Sequence, residues 1–226
     1  MCKKVTLIWA LMCMLAMTAF AANKRFTLVI DPGHGGHDAG ALGAISKEKN
    51  INLAVALRFG KYVEQNLPEV RVIYTRKTDV FIPLNERANI ANRANADLFI
   101  SVHTNALPAG KIARGFETYT LGMHRAKDNL DVAMRENSVI SMEKDYQQRY
   151  QGFDPRSSES YIIFEFIQGK NMERSVDLAR MIQRGVCDGA NRPDKGVHQA
   201  GFLVLRETSM PGCLIELGFI TTPDEE

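Results

Sequence analysis

The chain has 226 residues, of which 45% are hydrophobic and 24% are charged, and this composition excludes an intrinsically disordered chain. The length suits one globular domain. With 28 basic and 26 acidic residues the chain is close to neutral, so it lacks the basic field that binds nucleic acid, and we expect no nucleic-acid partner.

The start of the chain has the pattern of an export signal. Lys3 and Lys4 precede an apolar run that ends in Ala-Phe-Ala at residue 21, and small residues of this kind precede signal-peptidase sites. We predict a cleaved signal peptide at 1–21 and an exported domain at 22–226, located in the periplasm or cell envelope. The alternative is a membrane anchor. The apolar run is shorter than the ~20 residues that span a bilayer, so we expect no stable anchor after cleavage.

Cleavage would change the cysteine and charge counts. Cys2 and Cys13 would leave with the leader, so the mature chain would keep only Cys187 and Cys213. Two cysteines do not form a disulfide framework, and we expect two buried thiols, although an oxidising compartment permits a bridge where the geometry allows one. The leader carries two lysines and no acidic residue, which leaves 26 basic against 26 acidic residues.

Predicted strands and helices then alternate along the chain. Residues 25–31 have the apolar, β-branched composition of a buried strand, and residues 48–66 repeat apolar residues at helical spacing, with a glycine-rich loop between them. By the same criteria we predict strands at 69–76, 97–106, 115–121, 200–207 and 210–220, and helices at 83–96 and 172–186. The alternation predicts a single α/β domain with a mostly parallel or mixed central sheet flanked by helices.

Residues 122–160 interrupt the alternation. They are polar and charged, have helical potential, and include a loop with the sequence GFDPRSSES. We therefore predict a helical insertion or flap in this segment.

Chemically reactive side chains lie near the ends of two predicted strands. His34 lies in the glycine-rich loop after the first strand, and His103 lies at the end of the third. Open α/β sheets bind ligands beyond the carboxyl ends of their parallel strands, so the two imidazoles are expected to face one another. Glu48 begins the first helix, where the helix dipole favours a carboxylate. Glu216 lies in an apolar strand, where an isolated charge is costly.

These residue types suit one kind of metal chemistry. Two imidazoles and one carboxylate are common protein ligands of a catalytic zinc ion, which keeps a further position open for water. A second carboxylate close to that water would act as the general base, and Glu216 is the candidate.

Four motifs carry a family resemblance. IDPGHGGHDAGALG, KEKNINLA, SVHTNA and CLIELGFITTPDEE occur in this order, and together they resemble the zinc-dependent N-acetylmuramoyl-L-alanine amidases of the cell-wall amidase type. The resemblance covers the mature chain outside 122–160. It implies one Zn²⁺ ion, with His34, Glu48 and His103 as its ligands. It also implies that Glu216 is the catalytic acid/base.

The same resemblance implies the substrate. The family cleaves the amide between N-acetylmuramic acid and L-alanine in peptidoglycan, in cell-wall remodelling or daughter-cell separation. Some amidases of this type also have a helical insertion that covers the zinc site until a protein activator displaces it. Glu136, in MRENSVI, would then be an autoinhibitory blocking ligand. The alternative, which the amphipathic pattern slightly favours, is a solvated helix that shapes the glycan groove.

The main site residues have simpler alternatives. Glu48 could serve only the N-terminus of its helix, because acidic residues are common in first helical turns. Glu216 could be a structural carboxylate paired with Arg76 or Arg206. A buried acid beside two ligand histidines is nonetheless what general-base chemistry requires.

Other polar residues are weaker candidates. Asp31 and Asn105 flank the predicted ligands and could orient them, or could simply form turns. We expect His37 to be exposed or to contact substrate. We expect His124 and His198 to be surface or packing residues.

Two other functions remain open on the sequence alone. A non-catalytic peptidoglycan-binding module would tolerate loss of the metal ligands, yet all the matching positions are present. A zinc peptidase acting on peptidoglycan stem peptides would need similar hydrolytic machinery, and only its products would distinguish it from an amidase.

Overall fold

The computed structural model describes residues 25–123, 127–165 and 171–226. The predicted signal peptide at 1–21 and His124 lie outside the described residues. Among the helices that are described, none has the length and apolar character needed to cross a membrane.

A six-stranded sheet forms the centre of the domain. Its strands lie side by side in the order β2-β1-β3-β6-β4-β5. β4 runs antiparallel to β6, and the other neighbouring pairs are parallel. The predicted α/β domain with a mixed sheet is confirmed. The strands are β1 (Thr27–Pro32), β2 (Arg71–Tyr74), β3 (Leu98–Asn105), β4 (Phe116–Leu121), β5 (Asp194–Ala200) and β6 (Gly212–Phe219).

Helices cover both faces of the sheet. Successive strand residues point to opposite faces, so Leu28 and Ile30 lie in one hydrophobic core and Val29 lies in another. The core with Leu28 and Ile30 includes residues of α1 and α5, and the core with Val29 includes residues of α2, α3 and α6. The helices are α1 (Glu48–Asn66), α2 (Leu84–Arg93), α3 (Lys127–Asn137), α4 (Tyr146–Arg149), α5 (Met172–Ala190) and α6 (Leu203–Arg206), with 3-10 helices at Ser138–Met142 and Ser158–Glu165.

Most predicted elements are present, with two errors near the end of the chain. The predicted strand at 200–207 is wrong, because residues 203–206 form the short helix α6. An apolar run of this length does not distinguish a buried strand from a buried helical turn. The strand β5 was not predicted, because its polar sequence DKGVHQA lies half-exposed at the sheet edge and lacks an apolar pattern. The opposite edge strand, β2, has only four residues.

The two cysteines of the described chain are free thiols, as predicted. Cys213 is buried in β6, as expected, whereas the expectation of burial is wrong for Cys187, which lies half-buried in α5. Burial raises the pKa of the Cys213 thiol to about 12.

The predicted insertion packs into the main core and is not a separate flap. The 3-10 helix Ser158–Glu165 lies at its predicted end, near residue 160. The buried residues of the insertion belong to the same hydrophobic cluster as Phe202 and Leu203 from the sheet domain. The insertion residues of this cluster are Val132, Ala133, Ile140, Tyr150, Phe153, Tyr161 and Phe164. This shared core fixes the position of α3 relative to the sheet.

Because of the shared core, we expect Ile140→Ala to lower the free energy of unfolding of the whole domain by about 2 to 5 kcal/mol, as deletion of a buried aliphatic side chain does. Ile140 is 0% exposed. Met142→Ala is the matched control, since Met142 lies in the same 3-10 helix and is 55% exposed. Urea denaturation followed by circular dichroism measures both. A cooperative transition of Ile140→Ala that coincides with the wild-type transition would contradict a shared core.

Candidate metal centre

His34 is placed by an unusual backbone conformation just after β1. The chain leaves the sheet at Gly33, whose N–H donates to the carbonyl of Val102 on β3 (2.9 Å). His34 itself has φ 61°, in the left-handed region that non-glycine residues seldom adopt. Its Nδ1 lies 2.7 Å from Oδ2 of Asp38, which fixes the orientation of the ring. Nε2 is therefore free to point towards the neighbouring acidic side chains.

His103 approaches from the end of β3 and packs against Gly33. A Cβ atom at residue 33 would lie 2.4 Å from the His103 ring, so only glycine fits there. The centroids of the His34 and His103 rings are 4.9 Å apart. The glycine-rich loop thus allows two imidazoles to come together beneath it, and the expectation that they face one another is confirmed.

Glu48 is directed inward from the N-terminus of α1. It is 0% exposed. Its Oε2 accepts a hydrogen bond from the Ala41 N–H (2.8 Å), and its Oε1 accepts one from the Thr104 N–H (3.1 Å). The side chain therefore links the glycine-rich loop to β3, which a helix-terminus role alone would not require.

Four side chains converge around one point. Ligand atoms of His34, Glu48, His103 and Glu136 all lie within 4.8 Å of one another, and all four residues are buried. His34 Nε2 lies 3.0 Å from Glu48 Oε1 and 3.1 Å from Glu136 Oε2, and His103 Nδ1 lies 3.2 Å and 2.9 Å from the same two oxygens.

This donor set fits a divalent cation. His34 Nε2 and Glu136 Oε2 are buried and lack a hydrogen-bond partner of good geometry within the described chain. Buried polar atoms without such partners are costly, and a metal ion satisfies several of them at once. Two imidazole nitrogens and carboxylate oxygens are the ligands that zinc takes in catalytic sites.

Two effects set the pKa values in the cluster: burial, which disfavours every charged form, and the attraction between the imidazoles and the carboxylates. Burial alone would lower the pKa of His34, but the carboxylates of Glu48, Asp38 and Glu136 outweigh it and raise that pKa well above its usual value. Burial opposes protonation of His103 in the same way, and chiefly Glu136 raises the pKa of His103 to about 9. Burial disfavours the charged form of Glu48, yet the adjacent imidazoles lower its pKa.

Glu216 lies beside the cluster on the neighbouring strand. β6 pairs with β3 so that Glu216 is opposite His103. Its carboxylate is 0% exposed, and neither oxygen has a hydrogen-bond partner in the described residues. Burial first, and then the charge of Glu136, raises the pKa of Glu216 well above its usual value. A protonatable carboxyl group thus lies next to the metal cluster.

The arginine nearest to Glu216 is not one that the sequence indicated. Arg135 NH2 lies 3.6 Å from Glu216 Oε1, whereas Arg206 pairs with Glu207. Arg76 instead donates hydrogen bonds to the backbone carbonyls of Pro32, at the end of β1, and of Gly33, which follows it. The proposed pairing of Glu216 with Arg76 or Arg206 is therefore wrong. Arg135 precedes Glu136 on α3, the helix for which the family resemblance suggested a position over the site, but the sequence did not indicate Arg135 itself.

Asp31 and Asn105, which were candidates for orienting the two histidines, have other hydrogen-bond partners. Asp31 accepts hydrogen bonds from Thr75, Ser101 and Arg87, and these engage both of its oxygens. Asn105 donates to Glu117 (2.8 Å). Neither of them hydrogen-bonds a ligand histidine in the described structure, and Asp38 orients His34 instead. Asp38 follows His34 by four residues in the motif HGGHD. This spacing is the sequence feature that could have predicted Asp38 as the residue that orients His34.

The remaining predicted positions divide between surface and cluster. His37 is exposed, as expected, and stacks near Phe81. His198 packs against Tyr119 outside the cluster, as expected. Glu136 is 5% exposed and contacts both histidines, so the expectation of a solvated helix face at this residue is wrong.

Comparison with known proteins identifies the family. The family model described as N-acetylmuramoyl-L-alanine amidase matches residues 28–226. The chain belongs to this family. The matched range contains every member of the metal cluster as well as Glu216, and the predicted enzyme class is confirmed.

Individual relatives agree with this assignment. N-acetylmuramoyl-L-alanine amidase AmiA of Escherichia coli K12 is 32% identical over 209 residues, which cover 91% of this chain and 69% of AmiA. The crystal structure of an N-acetylmuramoyl-L-alanine amidase from Clostridium difficile 630 has a TM-score of 0.63 at 30% identity, covering 88% of this chain and 83% of that one. The CwlD amidase of Clostridioides difficile, solved in complex with the GerS lipoprotein, has a TM-score of 0.52 at 25% identity. The match covers 88% of this chain and 85% of that one.

The raised histidine pKa values predict proton release when the cluster binds a metal. In the metal-free chain at pH 7 both imidazoles hold a proton that a metal ion must displace, whereas Glu48 is already ionised. Titration with Zn²⁺ in buffers of different ionisation enthalpy should therefore show release of one proton from each histidine. The release should decrease as the pH rises through about 9, where His103 loses its proton beforehand.

His37→Ala is the control for this measurement. His37 is an exposed histidine of the same loop outside the cluster, so its removal should leave proton release unchanged. A binding enthalpy that does not depend on the buffer at pH 7 would contradict the prediction.

Proposed function

We propose that this chain is a zinc-dependent hydrolase that cleaves the amide between N-acetylmuramic acid and L-alanine in peptidoglycan. The observation that carries the proposal is the buried cluster of His34, Glu48 and His103 beside Glu216, a carboxyl group without a hydrogen-bond partner in the described residues. Membership of the amidase family supports this choice of bond.

We assign His34, Glu48 and His103 as the residues that hold the ion. They come from three segments that the sheet brings together, and Asp38 and the Ala41 and Thr104 N–H groups orient two of them. When bound, Zn²⁺ would polarise the amide carbonyl and activate a water molecule.

Glu216 is the proposed acid/base. Its raised pKa lets the carboxylate take a proton from the attacking water and return it to the departing alanine nitrogen. Its position opposite His103 supports this role, because it places the carboxyl group beside the ligand set on a rigid strand. Water is added across the amide, so that the lactyl carbonyl becomes a carboxylate and the alanine nitrogen becomes a free amine.

Product identification tests the proposal. Purified peptidoglycan digested with the zinc-loaded chain should yield free lactyl carboxylate on N-acetylmuramic acid and free L-alanine amine, detected by mass spectrometry. Glu216→Gln should lower the rate roughly 10²- to 10⁴-fold, the usual contribution of a general acid/base, and should retain zinc. Glu207→Gln, at an exposed position, is the control.

Each other outcome has a definite meaning. A cut between two amino acids of the stem peptide would replace the amidase proposal with a peptidase. Wall binding without any cleavage would replace it with a binding module. Full activity of Glu216→Gln would remove that residue from the mechanism while leaving the bond assignment intact.

We further propose that α3 holds the enzyme in an inhibited state. Glu136 places a carboxylate oxygen 2.9 Å from His103 Nδ1 and 3.1 Å from His34 Nε2, where it competes with water and substrate for the metal. A protein activator that displaces α3 would then expose the site. The complex of the related CwlD amidase with the GerS lipoprotein supports a protein partner of this kind.

Replacement of Glu136 tests inhibition without deleting the segment. The insertion shares its core with the domain, so a deletion would damage the fold as well. Glu136→Ala should raise peptidoglycan hydrolysis about tenfold or more in the absence of any partner, because it removes the ligand that favours the closed state. Asp131→Ala, on an exposed position of α3, should leave the rate unchanged. An equal or lower rate for folded, zinc-loaded Glu136→Ala would contradict inhibition.

We propose that the chain is exported, with residues 1–21 as its signal peptide, and acts in the periplasm or cell envelope. The charged and apolar pattern of those residues supports export, and so does the substrate, which lies outside the cytoplasmic membrane.

A further inference from the structure

Two buried arginines lie beneath the loop that carries His34. Arg76 follows β2 and is 3% exposed, and Arg87 lies on α2 and is 2% exposed. Buried arginines are rare unless every donor has a partner. Most of the hydrogen bonds of this pair go to backbone carbonyls in the ligand-bearing segments, and within the described residues neither guanidinium has a hydrogen bond or ion pair with the side chain of a cluster residue.

Arg87 binds the backbone of His34 itself. Its NH2 donates to the His34 carbonyl and its NH1 to the Pro32 carbonyl, both at 2.8 Å. NH1 also lies 2.8 Å from Asp31 Oδ1, which balances the buried charge. The left-handed conformation of His34 is unfavourable for a residue with a Cβ atom, so its persistence needs contacts that specify it. The hydrogen bond from Arg87 to the His34 carbonyl is one such contact.

Arg76 connects the segments of two proposed ligands. Its Nε donates to Pro32 O (2.9 Å), and its NH2 donates to Gly33 O (2.7 Å) and to Lys49 O (2.9 Å). Gly33 directly precedes His34, and Lys49 directly follows Glu48. One guanidinium thus spans the gap between the loop and the first turn of α1.

We infer that Arg76 and Arg87 are positioning residues for the metal centre, with Arg87 fixing the direction of His34 and Arg76 fixing the separation of His34 from Glu48. The inference rests on the proposed metal-dependent function. A planar guanidinium with five donors reaches several diverging carbonyls, whereas a lysine ammonium has three donors on one atom. The role therefore requires arginine and is not met by positive charge alone.

Charge-conserving variants test this role. Arg87→Lys and Arg76→Lys retain the positive charge but lose the planar guanidinium and its five donors. Arg93→Lys is the matched control. Arg93 lies on the same helix as Arg87, with its side chain 62% exposed and paired with Glu86. Zinc affinity is measured by competition with a chromophoric chelator on metal-free protein. The visible absorption spectrum of the Co²⁺-loaded protein reports ligand geometry, and circular dichroism reports folding.

We expect the two buried-site variants to fold and to bind zinc about 10- to 100-fold more weakly than wild type, the usual effect of removing a residue that orients metal ligands. Their Co²⁺ spectra should change in intensity or band position. Arg93→Lys should match wild type in both measurements. A general loss of stability would not by itself alter the Co²⁺ spectrum of the folded fraction.

The inference is overturned if both lysine variants fold and keep wild-type zinc affinity and Co²⁺ spectrum. If one variant does not fold, the other decides. If neither folds, the arginines are core residues and the positioning role is rejected. Failure of the wild-type protein to bind zinc would instead overturn the proposed function, so the two failures are distinguishable.

Discussion

The structure depends on the burial of two imidazoles and two carboxylates around one point at the carboxyl edge of the sheet. Each group alone would be costly to remove from water, and together they offset one another's charge. The glycine-rich loop makes this possible by bringing backbone against the His103 ring at Gly33. The arrangement is far better suited to holding a cation than to stabilising a fold, because hydrophobic residues of similar volume would serve stability as well.

The insertion changes what the site presents to the outside. In the described structure α3 contributes Glu136 to the cluster and Arg135 to the neighbourhood of Glu216, so one helix contacts both histidines of the cluster and the proposed acid/base. The same helix is anchored through Val132 and Ala133 in the main core. Opening of the site therefore requires loss of buried apolar contacts, which a partner would have to replace.

Much of this was accessible from sequence because local pattern and chemistry agreed. The 3.6-residue repeat of α1 gave its bounds, and strand ends predicted that His34 and His103 would meet. Glu216 was selected as a candidate because a carboxylate in an apolar strand is anomalous. These signals each depend on a few neighbouring residues.

The features that local sequence pattern did not predict depend on contacts between distant segments. The burial of Glu136 is set by packing of α3 on the main core. The amphipathic pattern of the helix favoured exposure, and only the family resemblance raised Glu136 as a blocking ligand. The strand β5 has few apolar residues, because pairing with β4 and not burial holds it in place. The short helix α6 and a strand have the same apolar sequence pattern at this length, and only tertiary packing separates them.

The two outer strands have a consequence for the protein in concentrated solution. β2 offers only four residues, and β5 begins with exposed Asp194 and Lys195. A short strand gives another chain little backbone to pair with, and charged side chains at an edge oppose the approach of a second sheet. The sheet therefore ends at both sides in a form that discourages aggregation by strand addition.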